Sequence, residues 1–336
     1  MQYRSPKDFT GAGALGMLVL FFACGFILAA IAQGVIGFMM VPSGTSFDQL
    51  PDALMKGMKD PANVNLLRLM QVLSTFLMLC VPAVLYSKVV NGKSYFWLGF
   101  NKYVWLPQIA IGFVIIFAAN IMAGPVADLT KSVVSHFPSL DAAAKRMEDA
   151  YNDQVQVLSN LKSWGEYITA IFIMAFFPAL FEELFFRGAL QTLFEKWWKS
   201  PLLAIFISSV IFSLIHFSVY NFFTRLILGF VLGLMFYKTR NIWVNVVAHF
   251  LNNALAVTQL FYLSTHKAKP SLDDMQPKVE WWLAAIALAG LVVLFILLQR
   301  FSAQHKTAIA LKEQTLLAKK DPFHSFVADD HTGLNE

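Results

Sequence analysis

Long apolar runs recur along this chain, and they restrict its possible folds more than any other feature. The first extends from about Ala14 to Met40. Others follow at about Leu67–Tyr86, Val104–Ala127, Tyr167–Leu193, Leu202–His216, Phe222–Tyr237, Ile242–Leu263 and Trp281–Leu298. A hydrocarbon layer roughly 30 Å thick is crossed by a helix of about 20 apolar residues, and a helix satisfies its own backbone polar groups there. The sequence therefore predicts an all-α, polytopic membrane protein, a bundle of about eight transmembrane helices. The short Leu202–His216 and Phe222–Tyr237 spans are the ones expected to tilt or break. Composition agrees: 14% of the 336 residues are charged, against about 25% in soluble domains. The first run exceeds a signal-peptide core of roughly 7–15 residues and reads as an uncleaved first helix.

Charge assigns the connecting segments to sides. The N-terminus, the 88–103 loop, the 194–201 and 238–241 turns and the tail hold 14 of the 26 Lys and Arg, in short segments nearly free of acids; the opposite loops hold nine, diluted by Asp and Glu. The positive-inside rule then places both termini in the cytoplasm. The chain divides into a membrane-embedded domain over 1–300 and a polar cytoplasmic tail over 301–336, with Lys319-Lys320-Asp321-Pro322 expected to stop any helix there. Leu140–Leu161 reads as an amphipathic helix outside the bilayer or at its surface. Arg68 and Arg225, near the starts of their spans, are expected to snorkel, and Gly229 and Gly233 to form a small-xxx-small helix contact. Cys24 and Cys80 sit in apolar runs as packing residues and offer no disulfide framework. No basic run with interleaved aromatics suggests nucleic acid, and the expected partners of so apolar a chain are membrane lipids.

Polar residues inside the spans point to chemistry. Glu182, Glu183 and Arg187 fall within one apolar run, where each ionisable group costs roughly 2.5–3.5 kcal/mol on insertion scales. Glu183 and Arg187 are four apart and share a helix face, so they read as a neutralised pair; Glu182, about 100° away, reads as the free carboxylate. The next span ends in Phe212-Ser213-Leu214-Ile215-His216, and a later one carries His249 and Asn253, again four apart. Helices hide such groups from lipid by turning them together. The set suits attack of water on a carbonyl, with Glu182 and His216 activating the water and His249 and Asn253 stabilising the oxyanion. An alternative uses Glu182, His216 and His249 to hold zinc. The sequence leaves both open, although the H-E-x-x-H zinc-protease pattern is absent.

Glu182-Glu183 with Arg187, Phe212 with His216, and His249 with Asn253 resemble, in order and spacing, the three motifs of the CPBP family, the CAAX prenyl endopeptidases and bacteriocin-processing or immunity proteins also called Abi. The motif-bearing core covers about 167–263. The resemblance implies an eight-helix intramembrane endopeptidase in which Glu182 and His216 activate water, His249 and Asn253 form the oxyanion site, and Glu183, Arg187 and Phe212 support them. It also carries an alternative, a non-catalytic scaffold or immunity protein of the same fold. A transporter with a proton-carrying carboxylate is a third possibility, but the repeats and broken helices that would favour it are not evident.

Overall fold

A computed structural model describes residues 3–158, 161, 163–266 and 278–318. Apart from one isolated bridge between Arg4 and Thr10, the described residues form helices and their connections. They are α1 (Gly11–Met39), α2 (Leu50–Lys59), α3 (Pro61–Asn91), α4 (Leu106–Val134), α5 (Pro138–Leu158), α6 (Trp164–Trp198), α7 (Pro201–Leu214), α8 (Phe222–Thr239), α9 (Ile242–His266) and α10 (Trp281–Ala318). Local chemistry sets the ends. The Thr10 hydroxyl accepts from the Gly13 amide to open α1, and Ser163 accepts from the Glu166 amide to open α6, each satisfying a donor the first turn leaves orphaned. Pro107 and Pro201 stand at first-turn positions, where the missing N–H costs nothing.

Among the described residues, seven helices are long and apolar enough to cross a membrane. The fifth expected span, α7, has 14 residues, about 21 Å at 1.5 Å per residue, and stops short of a full crossing. Two boundaries and one side chain differ from expectation. Helix α4 continues through Pro125 to Val134. Helix α10 runs past residue 300 to Ala318, so the first half of the expected tail is helix; the expected stop at 319–322 lies outside the described residues. Arg68 does not snorkel. It is buried on α3 and donates to Asn65 Oδ1 and the Leu158 carbonyl at 3.3 and 3.4 Å, pinning the end of α5.

Two apolar cores flank the middle of α6. One packs Phe181, Leu184, Phe185 and Phe186 against Leu18 of α1 and Leu79, Ala83 and Tyr86 of α3. The other joins Ile115 and Ala119 of α4, Leu232 and Met235 of α8, Val244 and Ala248 of α9, and Leu291 of α10. The outer faces of α1 and α10 leave Phe26, Ile27, Val292 and Val293 exposed. Apolar faces of that extent are suited to lipid rather than water.

The basic connecting segments gather at one end of the bundle. Ser5 bonds to the Val90 carbonyl, Lys196 stands over Trp97 and pairs with Glu313, and Asn101 bonds to the Arg240 carbonyl. At the other end α5 crosses the bundle. Lys59 pairs with Asp153, Tyr220 donates to Asp141, and Ser218 donates to Glu148. The expected amphipathic helix therefore forms, but it is docked on the loop that follows α7.

Candidate active site

Four helices contribute to a polar centre between the two cores. Helix α6 supplies Glu182, Glu183 and Arg187, and Phe212 near the end of α7 with His216 just beyond it comes next. Helix α8 offers the Gly229 carbonyl, and α9 brings Asn245 and His249, with Asn253 four residues further along the same helix. Immediately after Glu183 the chain winds as a π-helix, Leu184–Gln191, a form that recurs at functional sites because it re-aims side chains. The Thr192 hydroxyl donates to the Arg187 carbonyl at 2.9 Å and supports this widened turn.

Glu183 is the hub. Its carboxylate is fully buried, and three groups from two helices converge on it. Arg187 Nη1 stands 3.2 Å from Oε1, His249 Nδ1 2.8 Å from Oε1, and Asn245 Nδ2 donates to Oε2 at 3.1 Å. A buried charge is tolerated only when paired and hydrogen-bonded in this way. Arg187, also buried, donates through Nη2 to the Gly229 carbonyl at 3.0 Å and lies over the Phe212 ring at 4.9 Å. The glycine permits this approach: a Cβ on Gly229 would stand 3.1 Å from Phe212 and 3.2 Å from Ser209. One turn on, Gln191 donates to the Gly233 carbonyl at 3.0 Å and to Glu195 at 2.8 Å, and Glu195 pairs with Arg240. Residues 183, 187, 191 and 195 thus form a polar ladder on the face of α6 towards α8, and the Gly229/Gly233 pair supplies two of its acceptors.

The Glu183 carboxylate accepts the Nδ1 proton of His249, which fixes the tautomer and presents Nε2 towards Glu182. Glu182 Oε2 lies 3.8 Å from that nitrogen, too far for a direct hydrogen bond, and the Glu182 side chain retains 13% exposure. Glu182 has no hydrogen-bond partner among the described residues. His216 is oriented in the same manner. Its Nδ1 lies 2.7 Å from the Phe212 carbonyl, so Nε2 is again the available atom. Arg225, tethered rather than snorkelling, donates to the His216 carbonyl at 3.3 Å. Asn253 Oδ1 accepts from Asn252 at 3.4 Å, while Asn252 accepts from Asn120 of α4; the Asn253 Nδ2 donors have no partner among the described residues.

On a straight reading of the spans, His216 lies near one end of its helix and His249 near the opposite end of its own. The structure brings them together around Phe212, whose ring centre is 4.7 Å from that of His216 and 6.4 Å from that of His249. Helix α7 ends at Leu214 after 14 residues, and His216 stands in the turn that follows. Reading the sequence alone missed Asn245, Gln191, Glu195 and Asn120. A signal existed for the first three, because 245/249/253 and 183/187/191/195 keep the four-residue spacing of one helix face. As for zinc, no three His, Cys, Asp or Glu side chains among the described residues converge as a metal site requires, so Glu182, His216 and His249 as placed do not fit that ion.

Fold and site together define a polytopic α-helical membrane protein with an ionisable centre of two carboxylates, an arginine and two imidazoles inside its bundle. Residues 164–255, from the start of α6 to the middle of α9, match the family described as type II CAAX prenyl endopeptidase Rce1-like. That segment contains every motif residue named above. No curated protein and no solved structure gives a significant match.

Proposed function

We propose that the protein is an intramembrane endopeptidase that hydrolyses a peptide bond of a membrane-associated or lipid-modified substrate with water activated by its own side chains. The observation that carries this reading is the array Glu183–His249–Glu182, in which one buried carboxylate orients an imidazole whose other nitrogen faces a second carboxylate. Glu182 takes a proton from water, and His216 Nε2 holds that water by a hydrogen bond. The water oxygen bonds to the scissile carbonyl carbon, and His249 Nε2, when protonated, and the Asn253 amide donate to the oxyanion. Collapse breaks the C–N bond, and the proton on Glu182 passes to the leaving amine.

In this reading the termini face the cytoplasm, which is supported by the gathering of the basic segments at one end of the bundle. The substrate reaches the site laterally from lipid, as a hydrophobic or prenylated peptide. The test is a substitution series in purified protein. Glu182→Gln and His216→Ala should each lower kcat about 10²–10⁴-fold, the usual worth of a general base. A phenotype that survives both, and that is lost instead with changes on the outer helices, would favour the non-catalytic scaffold.

A further inference from the structure

Helix α9 presents polar groups on two faces. Asn245, His249 and Asn253 share one of them, four residues apart, and Asn245 and His249 meet Glu183 of α6 there. Asn252 is turned about 100° away from Asn253. It lies one turn beyond Ala248, which packs with Ile115 and Ala119 of α4. The next residue on α4 is Asn120, and its Nδ2 donates to Asn252 Oδ1 at 2.5 Å and to the Ile116 carbonyl at 2.8 Å. Asn252 Nδ2 in turn donates to Asn253 Oδ1 at 3.4 Å. One amide contact between two membrane helices would be ordinary packing glue. Three amides in series exceed that need, and the series has a direction.

The two ends of an amide have nearly the same shape, so partners alone decide which end is which. The Ile116 carbonyl only accepts, which fixes the adjoining end of Asn120 as nitrogen. The second proton of that nitrogen goes to Asn252 and demands oxygen there. The NH2 end of Asn252 is then the one facing Asn253, and it demands oxygen in its turn. The NH2 end of Asn253 is thereby left as the donor, with no partner among the described residues. A backbone carbonyl on α4 thus dictates the orientation of an amide on α9. The last bond of the series is long, and negative charge at the Asn253 donors would polarise and tighten all of it. Resting on the oxyanion role proposed for Asn253, we infer that Asn120 and Asn252 are positioning residues for the hydrolysis. They hold the Asn253 amide with its nitrogen free for the charge that develops on the substrate carbonyl oxygen, and touch no substrate themselves.

The test has two arms, both on purified full-length protein in detergent. In the first, selective isotopic labelling of asparagine nitrogen gives the side-chain amide resonances, and the pair missing in Asn253→Ala belongs to Asn253. Asn120→Leu, close in volume but without donors, should shift that pair. In the second arm, cleavage of a prenylated CAAX peptide, Asn253→Ala should lower kcat about 10²–10³-fold, as loss of one oxyanion donor does. Asn120→Leu should lower kcat by up to about 10²-fold, the cost of an ångström of misplacement, with KM nearly unchanged. In the Asn253→Ala background Asn120→Leu should cost nothing further, whereas a packing role would add its loss in either background. Asn252→Leu breaks the series at its middle and should repeat both results, which keeps the test decisive if one variant fails to fold. An Asn253 resonance unmoved by both leucine variants, or losses that add, would overturn the relay. A kcat unchanged by Asn253→Ala would instead overturn the oxyanion reading, and with it the purpose of the relay, even where the resonance moves.

Discussion

His249 Nδ1 stands 2.8 Å from Glu183 Oε1, and this contact joins the motif of α6 to the motif of α9. Glu183 is thereby more than the partner of Arg187. It neutralises the arginine and sets the imidazole that faces Glu182.

Removing the Glu183 charge should destabilise the fold strongly. Glu183→Gln keeps the shape but leaves Arg187 buried without a counter-charge, at an expected cost of about 3–5 kcal/mol. Thermal unfolding in detergent measures it. Glu183→Gln combined with Arg187→Met should recover part of the loss, since no isolated charge then remains; a double variant no better than the single would contradict the pairing.

Asn245 should behave as a positioning residue. It donates to Glu183 and also, at 2.8 Å, to the Leu232 carbonyl. Asn245→Ala should cost roughly 1.5–3 kcal/mol, the worth of a hydrogen bond to a charged group. It should lower kcat more than it raises KM, because His249 loses its orientation while the substrate surface is untouched. Asn245→Asp, which sets a second carboxylate against Glu183, should not rescue; steady-state kinetics on the three proteins decide.

The glycines of α8 should tolerate nothing larger. A Cβ at Gly233 would fall 2.7 Å from Ile205 and 2.9 Å from Gln191 Oε1. Gly233→Val should therefore cost about 1–3 kcal/mol through overpacking. Gly16, with nothing within 4 Å, should accept Ala without loss, and paired melting curves test both.

The docking of α5 should hold over a wide pH range. The hydrogen bond from Lys145, then that from Tyr220, keeps the Asp141 carboxyl below its usual range. Burial and the Asp141 contact push the Tyr220 phenol up to about 12. A depressed carboxyl stabilises above its ordinary value of about 4 and loses that contribution as pH falls through the lower folded value. A raised phenol stabilises below its ordinary value of about 10 and loses its contribution as pH rises towards 12. Spin labels at Arg146 and Phe217 should keep one distance from about pH 4 to 10 and separate beyond either limit. Separation at neutral pH would refute it.

The sequence was most legible where one physical cost dominated. Apolar length alone placed the spans, and the cost of charge in lipid alone argued that Glu182, His216 and His249 share one centre. The four-residue spacing gave the Glu183–Arg187 pair. What it could not give was which third group joins a pair. Asn245 and the Gly229 carbonyl come from other helices, and their contact depends on how α8 and α9 cross α6. The fate of Arg68 was hidden for the same reason, because the Leu158 carbonyl that holds it is 90 residues away. Helix ends were misjudged where apolar character fades but helix continues, as in α4 beyond Pro125 and α10 beyond Leu298.

The most direct measurement is cleavage by purified protein in detergent of a prenylated CAAX peptide, beside a panel of peptides with hydrophobic ends. Wild type, Glu182→Gln and wild type with chelator are compared. Expected is cleavage by wild type, undiminished by chelator, and lost about 10²–10⁴-fold in Glu182→Gln. Cleavage retained in Glu182→Gln, or abolished by chelator and restored by zinc, would contradict water activation by this carboxylate.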